Sequence, residues 1–193
     1  MTPLPFVWPY AVAFWIVYAW AFCPEYKIVR SAQRSLGCRD AKSLQVLVFG
    51  HGAALVASFP LAWIPIFQIT EFRTGAYLVG IAVLIAGSLL RRHCWRMLGA
   101  SFTGDVRATA GQKVITRGAY YFICHPSYTG GILLYTGVGI ALGSWASIGL
   151  LAAATLTAYI YRIAVEEREL LAVIGEPYRL FISTRKRLIP FIY

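Results

Sequence analysis

The chain has 193 residues, of which 59% are hydrophobic and only 13% charged, and it carries a formal charge of +10. Soluble domains carry roughly 25% charged residues, so a soluble globular protein is excluded and a bilayer is the expected apolar solvent. The positive charge falls in loops between apolar stretches, which argues for membrane topology and against a nucleic-acid partner.

In chain order, uncharged stretches run over 2–24, 43–70, 74–90 and 118–161. About 20 apolar residues cross a hydrocarbon core, with about 17 as the low end. The first stretch has no basic region before it, as a cleaved leader would, and reads as a retained span near 5–24. The second reads as a span near 44–67, with Pro60 and Pro65 kinking or ending it near its outer edge. A third is expected near 74–90. The last stretch is too long for one helix and suits two, near 127–142 and 145–164, joined by a tight turn around Leu142 to Ala146. Pro126 is placed as a first-turn residue of the fourth span, and Gly130, Gly131, Gly137, Gly139 and Gly143 allow other helices to approach it closely. The expectation is an all-α, single-domain membrane bundle of about five helices.

Topology follows from Lys and Arg. Five basic residues follow span one (Lys27 to Lys42), six follow span three (Arg91 to Arg117) and six lie at or after the end of span five (Arg162 to Arg187), with Arg73 alone on the other side. Five spans with the N-terminus outside therefore put 17 of 18 basic residues in the cytoplasm. The loop 91–126 and the tail 165–193 then share that face, where a water-soluble cofactor is expected. The tail reads as an amphipathic helix from about Val165 to Ile174, stopped by Gly175. Cys23, Cys38, Cys94 and Cys124 lack zinc-site spacing and read as free thiols, so no metal is expected.

Two polar clusters stand at the cytoplasmic mouth. One is Gly118 to Gly130, in which His125-Pro126 precede Ser127 and Tyr128. Helix N-terminal N–H groups favour electron-rich ligand groups, and the same pattern also suits a plain helix cap with an interfacial aromatic belt. The other is Arg162 with Glu166 and Glu167. Arg162 and Glu166 share a helical face, either as an ordinary i,i+4 ion pair or as charges facing the bundle interior for a functional reason. Elsewhere, His51, within span two, reads as a hydrogen-bonded packing residue in preference to a substrate contact.

Taken together, Leu98-Gly99-x-x-Phe102, Gln112-Lys-Val-Ile-Thr-x-Gly118-x-Tyr120, His125-Pro-Ser-Tyr128-x-Gly130, Arg162-x-x-x-Glu166-Glu167 and Gly175-x-x-Tyr178 leading to Arg187-Leu-Ile-Pro190 resemble the isoprenylcysteine carboxyl methyltransferase family. That family lies within a wider group that includes membrane phospholipid methyltransferases. The resemblance covers about Trp95 to Pro190 and is closest to short prokaryotic members. It departs at Cys124, where the family usually has Arg, and at Gln112, where it often has His.

The resemblance implies S-adenosylmethionine bound by loop and helix ends, with S-adenosylhomocysteine as product. Matching positions that would line its pocket are Gln112, Lys113, Val114, Ile115, Tyr120, His125, Pro126, Ser127, Tyr128, Glu166 and Glu167. Arg162 would fork onto the carboxylate of a lipophilic, isoprenylcysteine-like or lipidated substrate drawn from the membrane. A phospholipid amine is the alternative acceptor. Membrane sterol reductases, which use NADPH, share a similar His-Pro-x-Tyr region, but paired Glu166 and Glu167 fit the methyltransferase branch better. A scaffold or small transporter gains little support, because intramembrane charge is nearly absent from the sequence. The expected location is the cell membrane, or the endoplasmic reticulum membrane in a eukaryote.

Overall fold

The computed structural model describes residues 1–34, 41–99 and 114–188, with the side chains of 27–34 and 41–43 excepted. Six α-helices occur among them: α1 (Tyr10–Arg34), α2 (Ala41–Leu61), α3 (Arg73–Leu98), α4 (Pro126–Ala141), α5 (Trp145–Ile174) and α6 (Glu176–Ser183). Short 3-10 turns cover Leu4–Phe6, Pro65–Phe67 and Gly118–Tyr121. The chain is an all-α membrane bundle.

By length and hydropathy alone, Leu44–Leu61, Arg73–Leu98 and Trp145–Ile174 are the helices able to cross a membrane among the described residues. The other two expected spans, α1 and α4, fall outside that set for identifiable reasons. Prolines at 3, 5 and 9 bias the residues before them away from α-helical backbone, so α1 begins at Tyr10 and its uncharged part ends at Pro24. With 16 residues, α4 rises only about 24 Å, less than the roughly 30 Å hydrocarbon core. It is held between α3 and α5.

Three further boundaries differ from expectation. Helix α2 stops at Leu61, not 67, because Pro65 opens a separate 3-10 turn. Helix α3 continues past Leu90 to Leu98, so the loop expected from 91 starts two turns later. The segment 165–174 is not a separate tail helix: α5 is continuous for 30 residues until Gly175, at φ +72°, ends it. At about 45 Å, α5 carries its last turns beyond the hydrocarbon core.

Small residues make the α3–α4 seam. A Cβ added to Gly80 would lie 2.2 Å from the Ala141 nitrogen, at Gly87 2.4 Å from the Leu134 nitrogen, and at Gly137 2.5 Å from the Leu84 nitrogen. The backbones therefore touch at turn-spaced points, where dispersion and close approach replace the hydrophobic effect. Phe14, Leu84, Leu134, Val138, Leu142 and Leu151 fill the core around this seam. The α4–α5 hairpin is closed by Gly143 at φ +67° and by Ser144, whose hydroxyl accepts from the Ser147 amide.

Candidate active site

The start of α4 is built by its neighbours. His125 is the N-cap and Pro126 the first helical residue. The His125 amide donates to the Arg187 carbonyl at 2.9 Å and the Cys124 amide to the Lys186 carbonyl at 2.8 Å. The Thr129 hydroxyl donates to the Leu188 carbonyl at 2.6 Å. Residues 186–188 thus lie along 123–125 like a strand and seal one side of the mouth, with Leu188 fully buried.

The last turns of α5 supply the opposite wall. The His125 Nε2–H donates to Glu167 at 3.2 Å, which assigns its tautomer from the acceptor. Glu167 also takes a fork from Arg187, with Nε at 3.0 Å and Nη2 at 2.9 Å. The Tyr128 hydroxyl donates to Glu166 at 2.5 Å. Arg162, 4% exposed, lies against Tyr128 and Tyr159 within electrostatic reach of both. The rings of His125, Tyr128 and Tyr159 stack in series, with centroids 5.6 and 4.6 Å apart.

These contacts separate the two adjacent glutamates. Glu167 is committed to His125 and Arg187, whereas Glu166 meets a neutral phenol. A carboxylate so placed, beside stacked aromatic faces, is a donor set suited to a cationic ligand.

Tyr120 is buried with Cys94, Cys124, Tyr178 and Phe181, and half-buried Val114 and Ile115 pack against this group. Burial, then neighbouring Cys94, push the Tyr120 phenol up, so it stays protonated at neutral pH. The sequence-predicted site residues therefore form two adjoining groups: His125, Tyr128, Arg162, Glu166 and Glu167 around α4 and α5, and Val114, Ile115 and Tyr120 below them. Pro126 and Ser127 are buried in the α4 turn. Gln112 and Lys113 lie outside the described residues.

Several residues were missed from the sequence. Arg91 of α3 donates from Nη1 to the Ser127 carbonyl at 3.0 Å and to the Tyr159 hydroxyl at 3.3 Å. Its Nε and Nη2 engage the Glu25 carboxylate of α1. A buried ion pair thus joins the residues that follow the first and third expected spans, a pairing not expected from the sequence. The available signal was the position of Glu25, an acid at the end of the first uncharged stretch in a chain with only eight acids. Arg187 was visible as part of a motif but without a role. His51 packs as expected, its Nδ1–H donating to the Leu47 carbonyl at 2.7 Å, although Nε2 has no partner among the described residues.

The family model described as phospholipid methyltransferase matches residues 76–176, from α3 to the start of α6. Protein-S-isoprenylcysteine O-methyltransferase B of Arabidopsis thaliana is 28% identical over 115 residues, 58% of each chain. Protein-S-isoprenylcysteine O-methyltransferase of Tribolium castaneum is 27% identical over 158 residues, 78% of this chain and 56% of that one. The chain therefore spans little more than half the length of these relatives. A solved structure of the eukaryotic intramembrane Ras methyltransferase, isoprenylcysteine carboxyl methyltransferase, superposes with a TM-score of 0.63 at 27% identity, covering 74% of this chain and 52% of that one. The matched region holds both the His125 turn and the Arg162 to Glu167 helix face, and on that footing the chain belongs to the phospholipid methyltransferase family, in its isoprenylcysteine carboxyl methyltransferase branch.

Proposed function

We propose that the chain, acting as one membrane domain, transfers a methyl group from S-adenosylmethionine to the carboxylate of a lipophilic, isoprenylcysteine-like acid at the cytoplasmic membrane face. One observation carries the reading: a buried guanidinium, Arg162, and a carboxylate, Glu166, meet at the same phenol, Tyr128. One charge suits an acid and the other a cation, as this reaction requires.

S-adenosylmethionine supplies an electrophilic methyl on a sulfonium cation. Glu166 would accept from its ammonium, Tyr120 would offer a π face to the sulfonium, and Gln112, Lys113, Val114, Ile115, His125, Pro126, Ser127 and Tyr128 would complete its lining. Glu167 serves indirectly, by fixing His125 and Arg187. Arg162 forks onto the substrate carboxylate and orients one oxygen toward the methyl carbon. That carboxylate is already ionised at neutral pH, with a reference pKa of about 4, so no general base is needed. The new bond is carboxylate oxygen to methyl carbon, and the bond broken is methyl carbon to sulfur, which leaves a neutral thioether. Catalysis rests on alignment and on desolvation of both charges in the buried mouth. The N-terminus is outside the cell in this reading, and the bilayer is the substrate's route of entry.

Purified protein should bind S-adenosylhomocysteine by calorimetry. With methyl-labelled S-adenosylmethionine it should place base-labile label on N-acetyl-S-farnesylcysteine. Base-stable label on membrane lipids instead would make a phospholipid amine the acceptor, and binding of NADPH but not S-adenosylhomocysteine would overturn the methyltransferase reading.

A further inference from the structure

The hairpin end of the bundle carries exposed Trp8, Trp63 and Trp145, side chains that favour the level where a bilayer meets water. Between there and Pro126 α4 spans only about 24 Å, so the opposite edge of a hydrocarbon core of about 30 Å falls just beyond Pro126. Two consecutive rings stand out at that level. Tyr121 is 64% exposed and Phe122 65%, edge to face with centroids 5.2 Å apart. The proposed reaction uses neither.

Beside them Arg185 is held by its own neighbours. Its Nε donates to the Tyr121 carbonyl at 3.0 Å, its Nη1 to the Thr184 hydroxyl at 2.9 Å, and its guanidinium lies 4.8 Å from the centre of the Phe181 ring. Nη2 has no partner among the described residues, and no carboxylate there lies within ion-pair distance of Arg185, Lys186 or Arg117. Glu167 is taken by His125 and Arg187, and Glu176 by Arg179. Arg117 and Lys186 are exposed. A guanidinium fixed in this way, with donors to spare, further cations in the adjoining chain and rings at the headgroup level, is complementary to a lipid phosphate.

The same segment is tied to the mouth. The Lys186 and Arg187 carbonyls accept from the Cys124 and His125 amides, and Arg187 forks onto Glu167. Whatever holds Arg185 against Tyr121 therefore also holds the strand-like contact that seals the site.

We propose that Arg185, with Lys186, Arg117 and the Tyr121 and Phe122 rings, binds the phosphate of an anionic phospholipid in the leaflet at the α4 start, and that the bound lipid steadies residues 186–188 against 123–125. That leaflet is the cytoplasmic one in the proposed orientation. A zwitterionic headgroup carries the same phosphate but cancels its charge with an ammonium, so the surface prefers an anionic lipid. The surface stands on geometry alone, and only its effect on the reaction rests on the proposed function.

The test uses the full chain in nanodiscs of phosphatidylcholine, with or without about 30% phosphatidylglycerol. Mass spectrometry of the lipid retained after detergent extraction should show phosphatidylglycerol enriched over its share of the disc, and Arg185→Gln should lower that enrichment about fivefold, the worth of one juxtamembrane cation. Hydrogen exchange at the Cys124 and His125 amides should slow about threefold or more when phosphatidylglycerol is added to wild type, but not in Arg185→Gln. Arg185→Lys, which keeps a charge that a phosphate can use, should retain most of the enrichment. Arg179→Gln, at an exposed position already paired with Glu176, should change neither readout.

Undiminished enrichment in Arg185→Gln, or exchange in wild type that ignores phosphatidylglycerol, overturns the proposal. So does exchange in Arg185→Gln that is already about tenfold faster than wild type in phosphatidylcholine alone, which is what a merely structural contact gives. Neither readout involves methyl transfer. S-adenosylhomocysteine affinity should rise about threefold with phosphatidylglycerol present, whereas no S-adenosylhomocysteine binding in either disc refutes the underlying function instead.

Discussion

The two ends of the bundle are closed by different chemistry. Where α4 turns into α5, the Ile69 amide donates to the Gly143 carbonyl at 2.8 Å and the Ser147 hydroxyl to the Ser58 carbonyl at 2.7 Å. Gln68 there donates to the Met1 and Ala62 carbonyls, and Arg73 reaches the Thr2 carbonyl. Carboxylates take no part in these contacts. Where α4 begins, by contrast, Glu25, Arg91, Arg162, Glu166, Glu167 and Arg187 crowd around one helix turn. Hydrogen bonds to backbone carbonyls, without a carboxylate, suffice to join helices at the first end, whereas a charge taken out of water is expensive unless it is paired. In the proposed reaction the ionised groups at the α4 start serve to hold ligands, a need that closing a bundle does not impose.

The largest expected effect tests that asymmetry directly. Arg162→Ala should lower kcat/KM for the acid by about a thousandfold, or about 4 kcal/mol, with S-adenosylhomocysteine affinity within about threefold of wild type. Wild-type turnover in this variant would remove the main reason for treating the two ends differently. Next in size is the seam that connects the ends. Gly137→Leu drives a side chain into the α3 backbone at Leu84 and should destabilise by about 3 kcal/mol in SDS-induced unfolding. Gly149, with nothing within 4 Å of an added Cβ, is the control, and Gly149→Ala should be neutral or stabilising by about 0.5–1 kcal/mol.

Punctuation and periodicity were legible in the sequence because their causes are local. Pro126 starts α4, and Gly143 and Gly175 end their elements with positive φ. The Arg162 to Glu166 spacing places both residues on one face without any tertiary knowledge. What stayed hidden depends on distant partners. Glu25 and Arg91 are 66 residues apart, so a charge that reads as the end of a span is in fact neutralised inside the bundle, and α3 runs on through it. The docking of residues 186–188 on 123–125 uses backbone bonds, which leave no side-chain signature. Hydropathy also treats proline as neutral filler, which hid the late start of α1.

At the hairpin end, Ser144→Ala removes the hydroxyl that caps α5 and should cost about 1 kcal/mol. Because the proposed chemistry lies wholly at the opposite end, KM for both substrates should be unchanged. A shift in either KM would show that the two ends are coupled through α4.

The effect that is smallest at neutral pH appears only in alkali and belongs to the charged end. Cys124 is buried just before α4, and burial together with the Glu167 carboxylate pushes its thiol up to about 11. Both causes disfavour the thiolate, and the unfolded chain, with a thiol pKa of ~8.5, loses its proton first. Between those two values the folded state binds more protons than the unfolded state, so stability falls as pH rises. Below pH ~8 the thiol contributes no pH dependence. Unfolding measured at pH 8 and pH 10 should therefore show wild type losing about 2 kcal/mol more than Cys124→Ser over that interval. Equal losses would mean that Cys124 ionises freely, and that the mouth between α4 and the tail is wetter than its packing implies.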